Sequence, residues 1–344
     1  PMRYLTPARA AGAAALLVAV ALVVLYLVPS NGYYVFVPDR AHALAPLVKV
    51  PGERSSDERG GFYFVDVRFR KARLLEDLLN RPLGSGATLV PASAVLGGAS
   101  ESQQRKIDLN EMAQSQKIAA ALALNRAGHH VRIRLPDLVI SGLDPMAPAA
   151  KVLRPRDRLL AVDGVAVHSV GHLRDVLGAH KAGDLVRVRL ARRGRVRTAA
   201  VRTIADPTDK SRAVIGILVQ EVGGSTGKLP VNVRIDTRGV GGPSAGLAFA
   251  LDLMEELGRD VDHGYKVAAT GELELDGWVD PIGAVKQKTI GARQAGVDVF
   301  IVPAGGNARE ARKYADGLRI IPVKTFPQAL HALATLPPKE RASA

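Results

Sequence analysis

The sequence predicts an α+β fold with a separate β-rich module and one transmembrane helix at its head. Three observations carry this. An apolar run without charge extends from Ala10 to Val28; short strands recur between residues 131 and about 204; and in the last third a serine, Ser244, stands where a loop becomes a helix, well ahead of Lys286-Gln287-Lys288. The 344 residues are 47% hydrophobic and 23% charged, which suits about two globular domains after the helix.

The apolar run is 19 residues long. At the helical rise it spans roughly 28 Å, close to the thickness of a hydrocarbon core. Arg3 and Arg9 precede it and the next cation is Arg40, so the positive-inside rule places residues 1–9 in the cytoplasm, 10–29 in the membrane and the rest outside. The expected location is therefore a single-pass protein of the cell membrane. A cleaved signal peptide is the competing reading; its apolar region is usually shorter, and Val28-Pro29-Ser30-Asn31-Gly32 offers no small-x-small cleavage site.

The chain has no cysteine, which excludes disulfide staples, thiol catalysis and cysteine-ligated zinc. Its eight histidines show no H-E-x-x-H or related spacing, so no metal ligands and no cofactor are expected. His129-His130 reads as a solvated turn. The net charge of +14 favours polyanionic surfaces. Aromatic residues make up only 4% and do not interleave with the basic run Arg192 to Arg197, so nucleic acid is not an expected partner.

Tyr33–Val37 and Phe62–Arg70 read as strands, separated by a charged, turn-rich loop from Pro51 to Gly61. From Glu111 to Ala127 the apolar positions recur at helical spacing, and Gly128 ends the pattern. The β-rich module follows, with strands at Val131–Leu135, Arg158–Val162 and Leu185–Ala191 around a helix at His172–His180. Arg192 to Arg197 forms the tip of a hairpin. Pro145–Ala150, Arg156 to Gly164 and Val186–Arg193 together resemble a PDZ domain, with Arg156 where that family usually has glycine. The resemblance implies capture of an extended polypeptide on a sheet edge. No loop for a terminal carboxylate stands out, and a plain spacer is the alternative.

Gly223-Gly224-Ser225-Thr226-Gly227-Lys228 invites a phosphate-loop reading and fails it: the glycine spacing is one residue short and Leu229 stands where a magnesium-binding hydroxyl is needed.

Val231–Ile235 alternates as a strand, Thr237–Gly242 is a turn-rich approach, and Ala245–Leu257 is an apolar helix. Ser244 thus meets the positive end of a helix dipole, where backbone donors favour a developing oxyanion. Its small neighbours Gly242, Ala245 and Gly246, with Pro243, leave room for a peptide carbonyl. A serine needs a base. Lys288 shares a helical stripe with Val285 and Ala292 and can face an apolar interior, whereas Lys286 lies towards Arg293 and reads as solvated. Burial disfavours an ammonium and turns a lysine into a base near neutral pH.

These residues resemble the Lon peptidase domain and its Ser-Lys dyad. The matching features are Gly242-Pro243-Ser244-Ala245-Gly246, Thr270-Gly271-Glu272, Gly277-x-Val279 and Pro281 to Lys288, in that order. The resemblance implies that Ser244 and Lys288, 44 positions apart, are catalytic and that Thr270 hydrogen-bonds the lysine. Met112 to Ala119 also looks like the first helix of such domains. The implied arrangement is a peptidase domain in two parts, 30–128 and 206–340, interrupted by a PDZ domain at 129–205.

Two departures stand out. Gly241 occupies a position that is usually acidic in ATP-dependent relatives, and no ATPase module is recognisable. The implied activity is ATP-independent cleavage of peptides or unfolded segments, and a homo-oligomer stays open. Two alternatives remain. One is a Ser-His-Asp hydrolase using His263 or His331, since Gly242 to Gly246 also satisfies G-x-S-x-G; the other is a catalytically silent PDZ scaffold.

Overall fold

The computed structural model describes residues 7–51, 60–207, 209–210, 212–337 and 339, with side chains from residue 11 onward. Most of the expected loop from Pro51 to Gly61, and residues 1–6 of the expected cytoplasmic segment, lie outside the described residues.

Helix α1 (Pro7–Leu27) carries the apolar run. Its described side chains are exposed apart from half-buried Leu25. Among the described residues no helix is long and apolar enough to cross a membrane.

The next segment contradicts one sequence expectation. Phe62–Arg70 is not a single strand. It divides at Val65-Asp66 into Gly61–Phe64 and Val67–Arg73, which belong to different sheets. Val67–Arg73 and Thr88–Pro91 flank Pro29–Pro38 in a three-stranded antiparallel sheet, with the short helices α2 (Leu74–Leu78) and α3 (Ala92–Leu96) beside it. Helix α4 runs from Glu101 to Ala127, ten residues earlier than the apolar spacing suggests. Ser100 and Gln103 form a capping box at its start, and Gly128 closes it in the left-handed region.

The module that follows is built on an antiparallel sheet with Arg195–Arg202, Leu185–Arg192, Arg158–Val162, Asp137–Leu143 and Ile217–Val222 in that spatial order. Helix α5 (Val170–Gly178) packs over it, and Leu138, Leu159, Val188, Leu190 and Ile215 fill the core. Arg193 and Gly194 make the two-residue hairpin tip, both with positive φ. The expected first strand, Val131–Leu135, shrinks to Ile133–Arg134 and pairs outside this sheet with Ser225–Thr226. The last strand, Ile217–Val222, lies beyond the expected end of the module at 205 and forms one edge of the sheet.

The larger unit is organised on a second sheet. Gly61–Phe64, Lys266–Ala269, Val299–Pro303 and Arg319–Val323 are parallel neighbours, and His42–Ala43 adds an antiparallel edge. One face is covered by α4 and by α6 (Gly246–Glu256), where Phe62, Leu247, Phe249, Leu251, Val267 and Ile301 are buried together with Met112 and Ile118. Full burial of such side chains stabilises by about 1.5–3 kcal/mol each. The other face carries α7 (Val285–Gln294) and α8 (Gly306–Lys313), packed through Val285, Ala292, Phe300 and Ala308. Helix α9 (Phe326–Ala334) joins the first face through Phe326, Ala329 and Leu333. Because α4 and α6 share one core although the β-rich module lies between them in sequence, that module interrupts the larger unit.

Candidate functional site

Thr237 to Gly242 forms the turn-rich approach to α6. Gly242 takes φ +90, and its N–H donates to the Asp108 carbonyl on α4 at 2.7 Å. Ser115, also on α4, donates its hydroxyl to the Pro243 carbonyl at 3.0 Å. Ser244 follows and precedes the N-cap residue Ala245. The N–H of Gly246 donates to the Pro243 carbonyl and that of Leu247 to the Gly271 carbonyl. This leaves the amides of Ser244 and Ala245 without an acceptor among the described residues, beside the positive end of α6. Gly242, Pro243, Ala245 and Gly246 therefore all line the approach as expected, but two of their amides are already engaged.

Helix α7 delivers the base. Lys288 is 4% exposed, and its Nζ lies 2.7 Å from the Ser244 Oγ, to which it donates. Val285 and Ala292, the stripe-mates read from the sequence, are buried with it. Burial drives the ammonium down from 10.5 to about 8, and the nearby Asp66 carboxylate partly opposes that shift. The Thr270 hydroxyl donates to the Ser244 carbonyl at 3.0 Å and accepts from Lys288 at 3.5 Å. The Gly271 N–H binds the same Ser244 carbonyl at 2.8 Å.

Lys286 is not the solvated residue the helical wheel implies. It is half-buried, and its Nζ donates to the Ala87 carbonyl at 3.0 Å. Gln287 Nε2 reaches the Gly86 carbonyl at 3.0 Å and the Thr88 hydroxyl at 2.7 Å. The amino-terminal segment thus clamps α7, a role the sequence left unassigned.

The histidine alternative has no geometric support. His263 pairs with Asp260 at 3.6 Å and His331 is exposed on α9, whereas Ser244 is met by Lys288. The Gly223–Lys228 segment is not a phosphate loop, because Ser225–Thr226 is paired as a strand with Ile133–Arg134. Among the described residues, two groups bring possible metal-ligand atoms within 4.8 Å of one another, Asp39, His42 and Asp66, and Glu255, Asp260 and Asp262. Internal bonds account for them: His42 pairs with Asp66 at 3.4 Å and Arg68 with Asp39 at 3.2 Å, while Glu255 and Asp262 accept backbone N–H groups of the 261–264 turn.

A groove the sequence did not reveal runs between α5 and the edge strand Ile217–Val222. It encloses about 700 Å³, with Leu173, Leu177, Ile215 and Ile217 on its walls and Arg174 and Arg212 at its rim. The signal was the segment Ala213 to Ile217, which belongs to the module although it lies past its expected boundary. Where the module meets the larger unit, Glu221, Glu272, Glu274 and Asp280 crowd together. Burial and mutual repulsion push Glu272 up to about 7, Glu274 to about 8 and Asp280 to about 6.

Residues 237–335 match the family model of the Lon protease (S16) C-terminal proteolytic domain, and residues 128–203 match that of the PDZ domain. Lon protease 2 of Bacillus subtilis is 39% identical over 103 residues, covering 30% of this chain and 18% of that protein. Lon protease 2 of Thermus thermophilus is 47% identical over 62 residues, 18% of this chain and 8% of that protein. The chain thus spans less than a fifth of the length of these curated relatives. Among solved structures, the PDZ domain of an SdrC-like protein from Listeria monocytogenes aligns with 22% identity and a TM-score of 0.24, over 26% of this chain and 92% of that one.

Proposed function

We propose that this chain, which carries a Lon-type serine peptidase proteolytic domain together with a PDZ domain, is an endopeptidase that cleaves peptides or unfolded protein segments without ATP through Ser244 and Lys288. The observation that carries the reading is the 2.7 Å approach of the buried Lys288 Nζ, whose ammonium burial lowers to about 8, to the Ser244 hydroxyl.

Neutral Lys288 accepts the Ser244 proton as Oγ attacks the peptide carbonyl. The oxyanion forms beside the free amides of Ser244 and Ala245 at the head of α6. Lys288 then gives its proton to the leaving amine, and the same base activates the water that releases the acyl group. Thr270 holds the lysine and the serine backbone in register. None of these steps needs a cofactor or a nucleotide.

The PDZ domain supplies peptide capture in this reading: an extended segment pairs with the exposed edge of Ile217–Val222 and fills the groove under α5. The uncharged apolar run from Ala10 to Val28, with Arg3 and Arg9 ahead of it in the sequence, supports anchoring at a membrane with the catalytic part outside the cytoplasm. Vesicle flotation of the full chain against one lacking residues 7–27 tests this anchor, and flotation of both would refute it.

The experiment for the activity is casein hydrolysis without ATP. Loss of cleavage in both Ser244→Ala and Lys288→Ala, with Lys286→Ala still active, supports the dyad. Cleavage that survives Lys288→Ala refutes it.

A further inference from the structure

After the strand Val67–Arg73 the chain returns to the end of the apolar run. The Leu74 N–H donates to the Val28 carbonyl at 3.0 Å, the Arg73 guanidinium lies 3.8 Å from the centre of the Tyr26 ring, and α2 packs against α1. The loop that leaves α2 therefore starts beside the point where the run from Ala10 to Val28 stops. In that loop Leu78 is 72% exposed and Leu79 56% exposed, and Leu83 is exposed as well. Leu27 and Val28, at the end of the run, also face solvent.

Two observations make the loop a docking surface and not a frayed turn. One buried carboxylate pins its ends: Glu76 accepts from the Arg70 guanidinium at 2.7 and 2.8 Å, from the Arg73 N–H at 2.9 Å and from the Leu83 N–H at 2.7 Å. The Arg81 N–H closes on the Glu76 carbonyl at 3.0 Å. This ring of bonds holds the leucines outward, where their apolar surface stays in water. The charges are also sorted. The two acids are engaged, Glu76 as above and Asp77 by the Ser30 hydroxyl, while Arg81 is exposed among the leucines. An apolar tip with a cation beside it suits acyl chains beneath anionic headgroups.

Resting on the anchor reading, we infer that residues 78–83 dock on the bilayer that receives the apolar run, with Leu78, Leu79 and Leu83 about 5–10 Å into the boundary of headgroups and acyl chains and Arg81 at the phosphates. The chain then continues to Gly86 and Ala87, whose carbonyls accept from Gln287 and Lys286 of α7. The docked loop thus fixes the height of the Lys288 helix above the membrane. Three leucines alone bind a bilayer only marginally, so a chain lacking residues 7–27 stays in solution.

The chain has no cysteine, so Leu79→Cys takes a single NBD fluorophore. Met146→Cys, in a PDZ-domain turn and 90% exposed, is the reference. The full chain is reconstituted in vesicles of phosphatidylcholine and phosphatidylglycerol that carry nitroxide lipids. The label at position 79 is quenched about twofold or more, better by a nitroxide near the headgroups than by one deep in the acyl chains, and the label at 146 is not. Adding Leu78→Asp and Leu83→Asp lifts the label into water and abolishes the quenching, while flotation and melting temperature stay unchanged. If the full chain floats but position 79 is unquenched, is quenched no more than 146, or stays quenched beside the two aspartates, the inference is overturned and the anchor stands. A blue-shifted label that no nitroxide reaches means burial against a second copy and overturns it too. A full chain that does not float removes the anchor, and this inference with it.

Discussion

The Thr270 hydroxyl donates to the main-chain carbonyl of Ser244 at 3.0 Å, so the residue that borders the base also fixes the backbone of the nucleophile. Lys288 touches the same hydroxyl oxygen at 3.5 Å. Replacing Thr270 by valine keeps the shape and removes the hydroxyl; a hydrogen bond worth about 1 kcal/mol corresponds to a loss of several-fold in kcat/KM. Thr270→Ser restores the rate. Steady-state kinetics on one peptide checks this, and an unimpaired valine variant would remove Thr270 from the account.

Gly291 governs where α7 sits. A Cβ at that position would lie 1.8 Å from the Asp39 carbonyl oxygen, which is backbone and cannot swing aside. Gly291→Ala must push the helix away, with a cost of about 1–3 kcal/mol and a displaced Lys288. Thermal unfolding and casein assays should fall together; an alanine variant with wild-type values of both would show that α7 tolerates the shift.

Arg156 occupies the left-handed region at φ +71, which explains why a glycine is usual at this point of a PDZ fold. Arg156→Gly relieves a penalty of roughly 1 kcal/mol, so the PDZ domain should unfold at a higher denaturant concentration. A lower midpoint would mean that the arginine side chain contributes more than its backbone costs.

The carboxylates at the junction give the stability a pH dependence of known sign. The folded state holds Asp280, Glu272 and Glu274 at about 6, about 7 and about 8, above their ordinary values. The folded protein therefore binds more protons than the unfolded one, and this contribution is complete below the ordinary carboxylate range and lost as pH rises through about 6 to about 8. Facing groups are Glu111 on α4, Glu221 and Arg174 of the PDZ domain, and Asp276 on the same hairpin. The melting temperature should drop across that interval, and Glu274→Gln should flatten the slope. A melting temperature that rises through the interval contradicts the assignment.

Much of the site was legible because its determinants are local. The small residues around Ser244 and the i−3 and i+4 partners of Lys288 specify a loop-to-helix turn and an inward-facing lysine, whatever surrounds them. What stayed hidden depends on distant pairings. Residues 101–106 are polar, so the apolar period could not announce the first turns of α4, and the capping box at Ser100 carries that signal instead. Phe62–Arg70 is rich in β-formers on both sides of Asp66, and only the tertiary fold assigns its two halves to different sheets. Lys286 looked solvated because a helical wheel knows nothing of the Ala87 carbonyl that receives it. The groove between α5 and Ile217–Val222 was missed because its edge strand returns to the sheet after an intervening loop.

The central claim is that Lys288, stripped of its proton, is the base for Ser244. The most direct measurement is kcat/KM for one unfolded substrate from pH 6 to 10. The account predicts a rise through about 8, where burial places the Lys288 ammonium. It also predicts that the activity disappears in Lys288→Met. A profile flat across that range, or one that keeps its limb in the methionine variant, would contradict it.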